Sequence, residues 1–535
     1  MKGNYLYIIF LLLFSLSFID CAKRGFPEGG PRDTIPPVIV RSIPENYSTQ
    51  FKGNEIRIHF DEYIKLKNLQ QQLIISPPLD NQPIIEPFTT ARFIRIVIDD
   101  TLRENTTYSF NFGNSIVDNN EENPFEFFKY VFSTGSYIDS LSVVGSISDA
   151  KKRKPEENII VMLYEVNEQF SDSIIYNKKP YYVASTQGNP GFFSIENIKE
   201  GKYLLIALKD NNNNYTFQPS VDKIGFVEGF VNVPTDETFH LTLFKEIPEY
   251  RLVRATALNR QKIQFGYEGV GDSIKIELLS DTAEDFKHTL LKEQKKDTLH
   301  YWFNQKFERD SLFFKVTNRD RVDTVGVRLS RTPADSLKLS ALKTGVFAFD
   351  ELVEITANTP IKNIDKEKIT IIDKDSAVVN FKLQFDELYN IIGLDFEKKE
   401  REAYTVTFFP DAVTDFFGAV NDTIAFRAST RTMADYGFLS FSIVNPKPYP
   451  IIVQLVTERE EVRKEHYSQN GETSFYFENI TPGNYYVRII YDENANGQWD
   501  TGNFLKRVQP EEVIYFPKLL DIRANWTLSE TFVME

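Results

Sequence analysis

The chain has 535 residues, with 61 basic and 76 acidic side chains, a formal net charge of −15 and a single cysteine. That length exceeds what one core serves and points to three to five domains at ~150 residues each. The acidic balance argues against a nucleic-acid role, which needs a basic footprint, and one thiol excludes an internal disulfide or a cysteine-rich metal site.

Met1 and Lys2 make a small positive start, and residues 5–19 then run apolar and aromatic, broken by Ser15 and Ser17. A charged start followed by about 7–15 apolar residues describes a secretory signal, whereas a membrane span needs ~20. Cys21 follows, then Ala22-Lys23-Arg24-Gly25 and a Pro/Gly-rich stretch to Pro37. A cysteine at the cut resembles a bacterial lipoprotein signal, which implies that Cys21 is lipidated and anchors the mature chain to a membrane. Asp20 stands where such signals usually carry a small residue, so an ordinary secretory signal that contains a cysteine is the alternative. Outward-facing lipoproteins of the similar group bear acidic residues after the cysteine. Ala22, Lys23 and Arg24 therefore imply the periplasmic face of the outer membrane rather than the cell surface.

From residue 36 onward, apolar and polar residues alternate over runs of four to eight, the period of a half-buried strand. Examples are Glu55-Ile56-Arg57-Ile58-His59-Phe60 and Phe93-Ile94-Arg95-Ile96-Val97-Ile98. The segment 36–136 carries Pro36-Pro37-Val38-Ile39, Asn105-Thr106-Thr107-Tyr108, Ile116-Val117-Asp118 and Phe132-Ser133-Thr134-Gly135. This series resembles the bacterial Ig-like domain also found in surface-layer proteins. Residues 343–435 echo it with Ala403-Tyr404-Thr405-Val406, Ala412-Val413-Thr414-Asp415 and Phe426-Arg427-Ala428-Ser429-Thr430, without the Pro-Pro opening.

A second repeat follows each of these. Glu196-Asn197-Ile198-Lys199-Glu200-Gly201-Lys202-Tyr203 leads through an apolar run to Asp210, and Glu478-Asn479-Ile480-Thr481-Pro482-Gly483-Asn484-Tyr485 leads without a gap to Asp492. Each copy reads as a turn, an outgoing strand and an Asp/Asn-rich loop, and resembles the transthyretin-like or carboxypeptidase-regulatory-like β-sandwich of bacterial envelope proteins. The expected organisation is a signal peptide at 1–20, a tether at 21–35, an Ig-like domain at 36–136 and a transthyretin-like domain at 137–247. An unassigned β-rich unit follows at 248–342, then a divergent Ig-like domain at 343–435 and a second transthyretin-like domain at 436–535. The fold class is all-β, a string of tandem sandwiches. As a whole the chain resembles Ig-like-domain lipoproteins of Bacteroidota. The spacing over 282–293 offers the best helix, and Gly266-Tyr267-Glu268-Gly269-Val270-Gly271 reads as a hairpin turn.

The chemistry-bearing candidates are few. Asp492, Asn494, Asn496 and Asp500 stand at positions 1, 3, 5 and 9 of a calcium-loop template, with Gly497 at 6 and Gln498 at 7 offering its carbonyl. The template's bidentate Glu at 12 is missing, Asn503 standing there, so weak Ca²⁺ binding at ~10⁻⁴–10⁻³ M is expected. An Asn/Gly turn without metal is the alternative. The sister loop keeps Asp210, Asn212 and Asn214 but has Tyr215 at the glycine position, so an ordinary polar loop is favoured there. The five histidines, His59, His240, His288, His300 and His466, show no zinc spacing. Asp61-Glu62 fails as an acid/base pair because adjacent strand residues face opposite ways. The aromatic series 125–132 reads as core before it reads as a binding platform. These features describe a non-catalytic, lipid-anchored envelope scaffold, adhesion or assembly module, with an envelope protein or a glycan as partner. The alternative is a glycan- or peptide-processing lipoprotein, whose retaining form needs two carboxyls ~5–5.5 Å apart.

Overall fold

The computed structural model describes residues 33–534 apart from 187, 445, 448 and 449. The signal segment, Cys21 and the tether up to residue 32 lie outside the described residues. Among the described residues, helix is confined to Leu69–Gln72 and three short 3₁₀ turns, and the other ordered elements are strands. The all-β expectation holds.

The chain divides into a unit ending at Ser140 and a unit from Leu141 onward. In the first, Ile39–Ile43, Glu55–Leu66, Ala91–Val97 and Ile84–Glu86 form one sheet in that order, with Ile116–Asp118 added to Glu55–Leu66. Ile74–Ser76, Thr107–Asn111 and Lys129–Ser133 form the facing sheet. The period-two pattern explains the core: Ile56, Ile58 and Phe60 alternate inward from one sheet and meet Tyr108, Phe110, Tyr130 and Phe132 from the other.

The second unit contains four sandwiches. In residues 141–244, strands Tyr182–Ser185, Ile160–Glu165, Gly201–Lys209 and Lys223–Phe226 pair in order, with Val231–Val233 also on Gly201–Lys209. The opposite sheet is Phe192–Ile198, Leu141–Asp149 and Thr238–Leu243, the last two parallel. Residues 437–533 repeat this arrangement: Val462–Ser468, Ile451–Thr457, Gly483–Tyr491 and Val513–Tyr515 face Ser474–Ile480, Gly437–Val444 and a parallel Thr527–Val533. Between the two copies lie a seven-stranded sandwich at 251–328 and a further set of paired sheets at 339–429.

Several expectations need correction. Residues 282–293 are not helical, because His288–Lys292 pairs antiparallel with Thr298–Phe303 and closes a hairpin over a left-handed Lys295. Gly269 does not sit in a hairpin; strand Lys262–Glu268 leaves its sheet there and the chain crosses to Lys275–Leu278 in the facing one. Gly269 has φ 79°, and a Cβ would lie 2.3 Å from the Pro248 carbonyl oxygen, so only glycine suits this crossing. The second unit is also not a plain string. The sandwiches at 141–244 and 437–533, the two copies of the repeated arrangement, dock on one another through residues 499–515 of the last copy.

That docking arm uses side chains far apart in sequence. Phe504 is fully buried and meets the Phe226 ring edge-on at 5.4 Å. The Arg507 guanidinium lies over both rings, 4.6 Å from Phe504 and 5.8 Å from Phe226, and pairs with Asp172. Gln509 Nε2 donates to the Phe226 carbonyl at 3.0 Å, Thr501 Oγ1 to that of Lys245 at 2.7 Å, and Tyr515 Oη to that of Lys151 at 2.6 Å. The arm meets Phe226, the cross-strand neighbour of Ile206, at the edge of a strand whose residues Tyr203–Leu208 are all buried.

Candidate functional site

The two Asp/Asn loops are built on the same plan. Each follows the outgoing strand of its copy, Gly201–Lys209 or Gly483–Tyr491, whose entry turn is held by a left-handed Asn197 or Asn479. A tyrosine hydroxyl closes each turn: Tyr203 Oη donates to the Lys199 carbonyl at 3.1 Å and Tyr485 Oη to that of Thr481 at 2.7 Å.

At the far end, Asp492 is almost fully buried and accepts from the backbone N–H of Asn496 at 3.1 Å and Gly497 at 2.7 Å. Asn494 and Asn496 both turn their amide nitrogens to Asp500 Oδ2, the second at 2.6 Å. Their oxygens accept from Asn496 N at 3.1 Å and Gln498 N at 2.7 Å. The structure therefore brings Asp492, Asn494, Asn496 and Asp500 into one loop. Gln498 enters through its backbone.

The sequence reading missed Glu511. Its carboxylate accepts from Glu493 N and Asp500 N, both at 2.9 Å, and so ties the two ends of the loop together from just before strand Val513–Tyr515. The sister loop has the same device: Asp222 accepts from Asn211 N and Gln218 N, both at 2.9 Å. Burial pushes both carboxyls above their ordinary range, against the pull of those N–H groups. The available signal was a carboxylate opening the return strand of each copy, in Asp222-Lys223-Ile224 and Glu511-Glu512-Val513.

The copies diverge where a ligand set would be completed. Asp210 accepts from Asn212 N at 3.1 Å and Tyr215 N at 2.7 Å, matching Asp492, with Tyr215 held left-handed at φ 58° in place of Gly497. Asn212 Nδ2 donates to Gln218 Oε1 at 2.6 Å, and Asn214 Oδ1 accepts from Thr216 N at 2.9 Å. That loop closes on itself. The 492–500 loop also closes on itself, through the Asn494 and Asn496 amides on Asp500, and the carboxylate oxygens of Asp492, Asp500 and Glu511 about it are of the kind hard cations take. Among the described residues no group of three His, Cys, Asp or Glu gathers to hold a metal, so a cation there would draw on Asn oxygens and backbone carbonyls.

The remaining candidates are structural. Asp61 caps the chain by accepting from Val38 N at 2.8 Å, and Glu62 on the neighbouring position is half-buried. Of the aromatic series, Tyr130 and Phe132 are core and Phe125 and Phe128 pack against it, leaving Phe127 exposed. His59 packs beside Phe93, with ring centroids 6.0 Å apart.

The first unit's hydrogen bonds have a counterpart in residues 339–432. Tyr108 Oη accepts from Arg103 N at 2.9 Å, as Tyr404 Oη does from Lys399 N at 2.6 Å. Thr134 Oγ1 accepts from Thr106 N at 3.0 Å, as Thr430 Oγ1 does from Glu402 N at 3.1 Å. Asp118 accepts four backbone N–H groups from Asn120 to Asn123, and Asp415 accepts from Phe417 and Ala419. Residues 33–134 match the bacterial Ig-like domain. This Ig-like segment is the one whose tyrosine, threonine and aspartate contacts recur at 339–432. No curated protein sequence matches the chain. Among solved structures, the surface layer protein SbsC, domains 1–6, aligns at 9% identity over 91% of this chain and 67% of that one, with a TM-score of 0.16. An I-band fragment from titin aligns at 11% identity over 54% of this chain and 98% of that one, with a TM-score of 0.12. Scores this low carry no argument about what this protein does.

Proposed function

We propose that the protein is a non-catalytic scaffold of the cell envelope, lipid-anchored through Cys21 on the periplasmic face of the outer membrane. Its sandwiches serve adhesion or assembly with an envelope protein or a glycan. One observation carries this reading: six buried carboxylates bond the backbone of their own domains. Asp118, Asp415, Asp210, Asp222, Asp492 and Glu511 all turn their oxygens to backbone N–H groups of their own domains. The bacterial Ig-like match over 33–134 supports an architectural role, and the docking of the two transthyretin-like copies supports a stiff body rather than a loose string.

The 492–500 loop is assigned a weak Ca²⁺ site on the same terms, with Asp492, Asn494, Asn496, Asp500 and the carbonyl of Gln498 as ligands and Glu511 in the place of the missing twelfth-position carboxylate. Asp210, Asn212 and Asn214 are left as a polar loop. Incubating the purified chain with peptidoglycan and with neutral glycans tests the scaffold reading. No release of reducing ends or peptides is expected. Turnover that falls when Glu511 is changed to Gln would replace it with a processing enzyme.

A further inference from the structure

Both transthyretin-like copies turn a three-stranded sheet outward, and the chemistry of that face is unusual for this chain. In the last copy the face is formed by Ser474–Ile480, Gly437–Val444 and Thr527–Val533. We infer that this outer face binds an uncharged polysaccharide chain.

Three observations carry it. The first is charge. The whole chain has a net charge of −15, yet among the outward positions of these three strands Glu478 alone is charged. Such a strip lies in an acidic field that repels polyanions and holds no ion-pairing groups for a charged protein partner. The second is the hydroxyl content. Ser440 pairs with Ser529 and Ser442 with Thr531 across the parallel strands, and Ser442 Oγ lies 3.4 Å from Ser474 Oγ. Each hydroxyl both donates and accepts, as sugar hydroxyls do. The third is an aromatic pair at the end of this row. The rings of Phe438 and Tyr476 are parallel within 8°, with centroids 6.2 Å apart, and Tyr476 is 46% exposed. Aromatic faces beside short hydroxyls match the alternating C–H faces and hydroxyl edges of a pyranose chain.

The first copy keeps part of this chemistry with different residues. Strand pairing places Ser146, Thr238, His240 and Ser194 where the last copy has Ser442, Ser529, Thr531 and Tyr476. The outward charge is again a single glutamate, Glu196, at the position of Glu478. Val144 and Phe192 stand where the last copy has Ser440 and Ser474, so the near-absence of charge is kept while part of the hydroxyl row and the aromatic pair are not. In the first copy the Ser148–Thr242 end of the face is walled by Gln509–Val513 of the docked arm, which makes a cleft of about 390 Å³.

Affinity electrophoresis of the full chain tests the inference, using gels cast with hydroxyethylcellulose, xyloglucan or, as a polyanionic control, alginate. At least one neutral polymer should retard the chain and alginate should not. Tyr476→Ala should weaken that retardation about tenfold with an unchanged melting temperature. Should that variant melt early, Ser529→Glu, which only adds charge to the face, should produce the same loss. Free migration of the wild type in both neutral gels would overturn the inference. So would retardation that survives both substitutions, or a self-associated wild type that Tyr476→Ala renders monomeric in sedimentation, since the face would then pack on a second copy.

Discussion

Asp118 concentrates more structure on one side chain than any candidate site residue does. It is 2% exposed, and its two oxygens accept the backbone N–H groups of Asn120, Glu121, Glu122 and Asn123. Burial alone would push its carboxyl up, but the four N–H groups reverse this and hold it below its usual value. A lowered folded value means that the stabilisation is present above the unfolded value and is lost as pH falls through the folded one. Asp118→Ala strands these donors and should cost about 2–4 kcal/mol at neutral pH, given ~1.5–3 kcal/mol for a hydrogen bond to a charged group. Urea denaturation of the variant at pH 7 and pH 3 measures this. The gap from wild type should narrow at the acid end, and an equal gap at both would refute the role of the charge.

Glu511 behaves oppositely. Its carboxyl is pushed up by burial, so protons compete for it at higher pH than for an exposed glutamate. Calcium needs the ionised form. Titration with calcium should therefore raise the melting temperature of the wild type at neutral pH, and the gain should fall away as pH drops through the raised value. Asp492→Ala should abolish it. No calcium-dependent shift in the wild type would reject a stabilising calcium role.

At the scale of elements, the repeated turns and loops were legible because their cues are local. Glu-Asn-Ile, the strand-entry glycine and the alternating Asp/Asn residues recur at fixed spacing, and the Ig-like echo rests on a Tyr, a Thr and an Asp with matching backbone bonds. Glu511 and Asp222 escaped notice because each acts on a loop from just before the following strand, Glu511 at 11 residues beyond Asp500 and Asp222 at 8 beyond Asn214. The docking of the two copies was hidden for a stronger reason. It joins Phe226 and Asp172 to Phe504 and Arg507, across two intervening sandwiches, and no periodicity reports such a contact. One cue was present: the unbroken apolar run Leu204-Leu205-Ile206-Ala207-Leu208 signals a strand covered on both faces. Phe504→Ala removes a fully buried ring from this junction, a change worth ~3–5 kcal/mol in a core. Limited proteolysis read by mass spectrometry should then show first cuts within 499–512. An unchanged cleavage pattern would mean that the arm does not depend on Phe504.

At the scale of the molecule, the sandwich class followed from strands of period two, short turns and a scarcity of helical spacing, and the structure bears that out. Composition gave the amount of charge without revealing its uneven use: two outward sheet faces carry a single glutamate each, Glu196 and Glu478. The account as a whole depends on an anchor at the start of the chain. Metabolic labelling with a palmitate analogue, followed by membrane fractionation of cells carrying the wild type or Cys21→Ala, tests it most directly. The account predicts label on the wild type in the outer-membrane fraction, and an unlabelled Cys21→Ala chain that leaves that fraction. An unlabelled wild type, or a Cys21→Ala chain that stays labelled and membrane-bound, would contradict it.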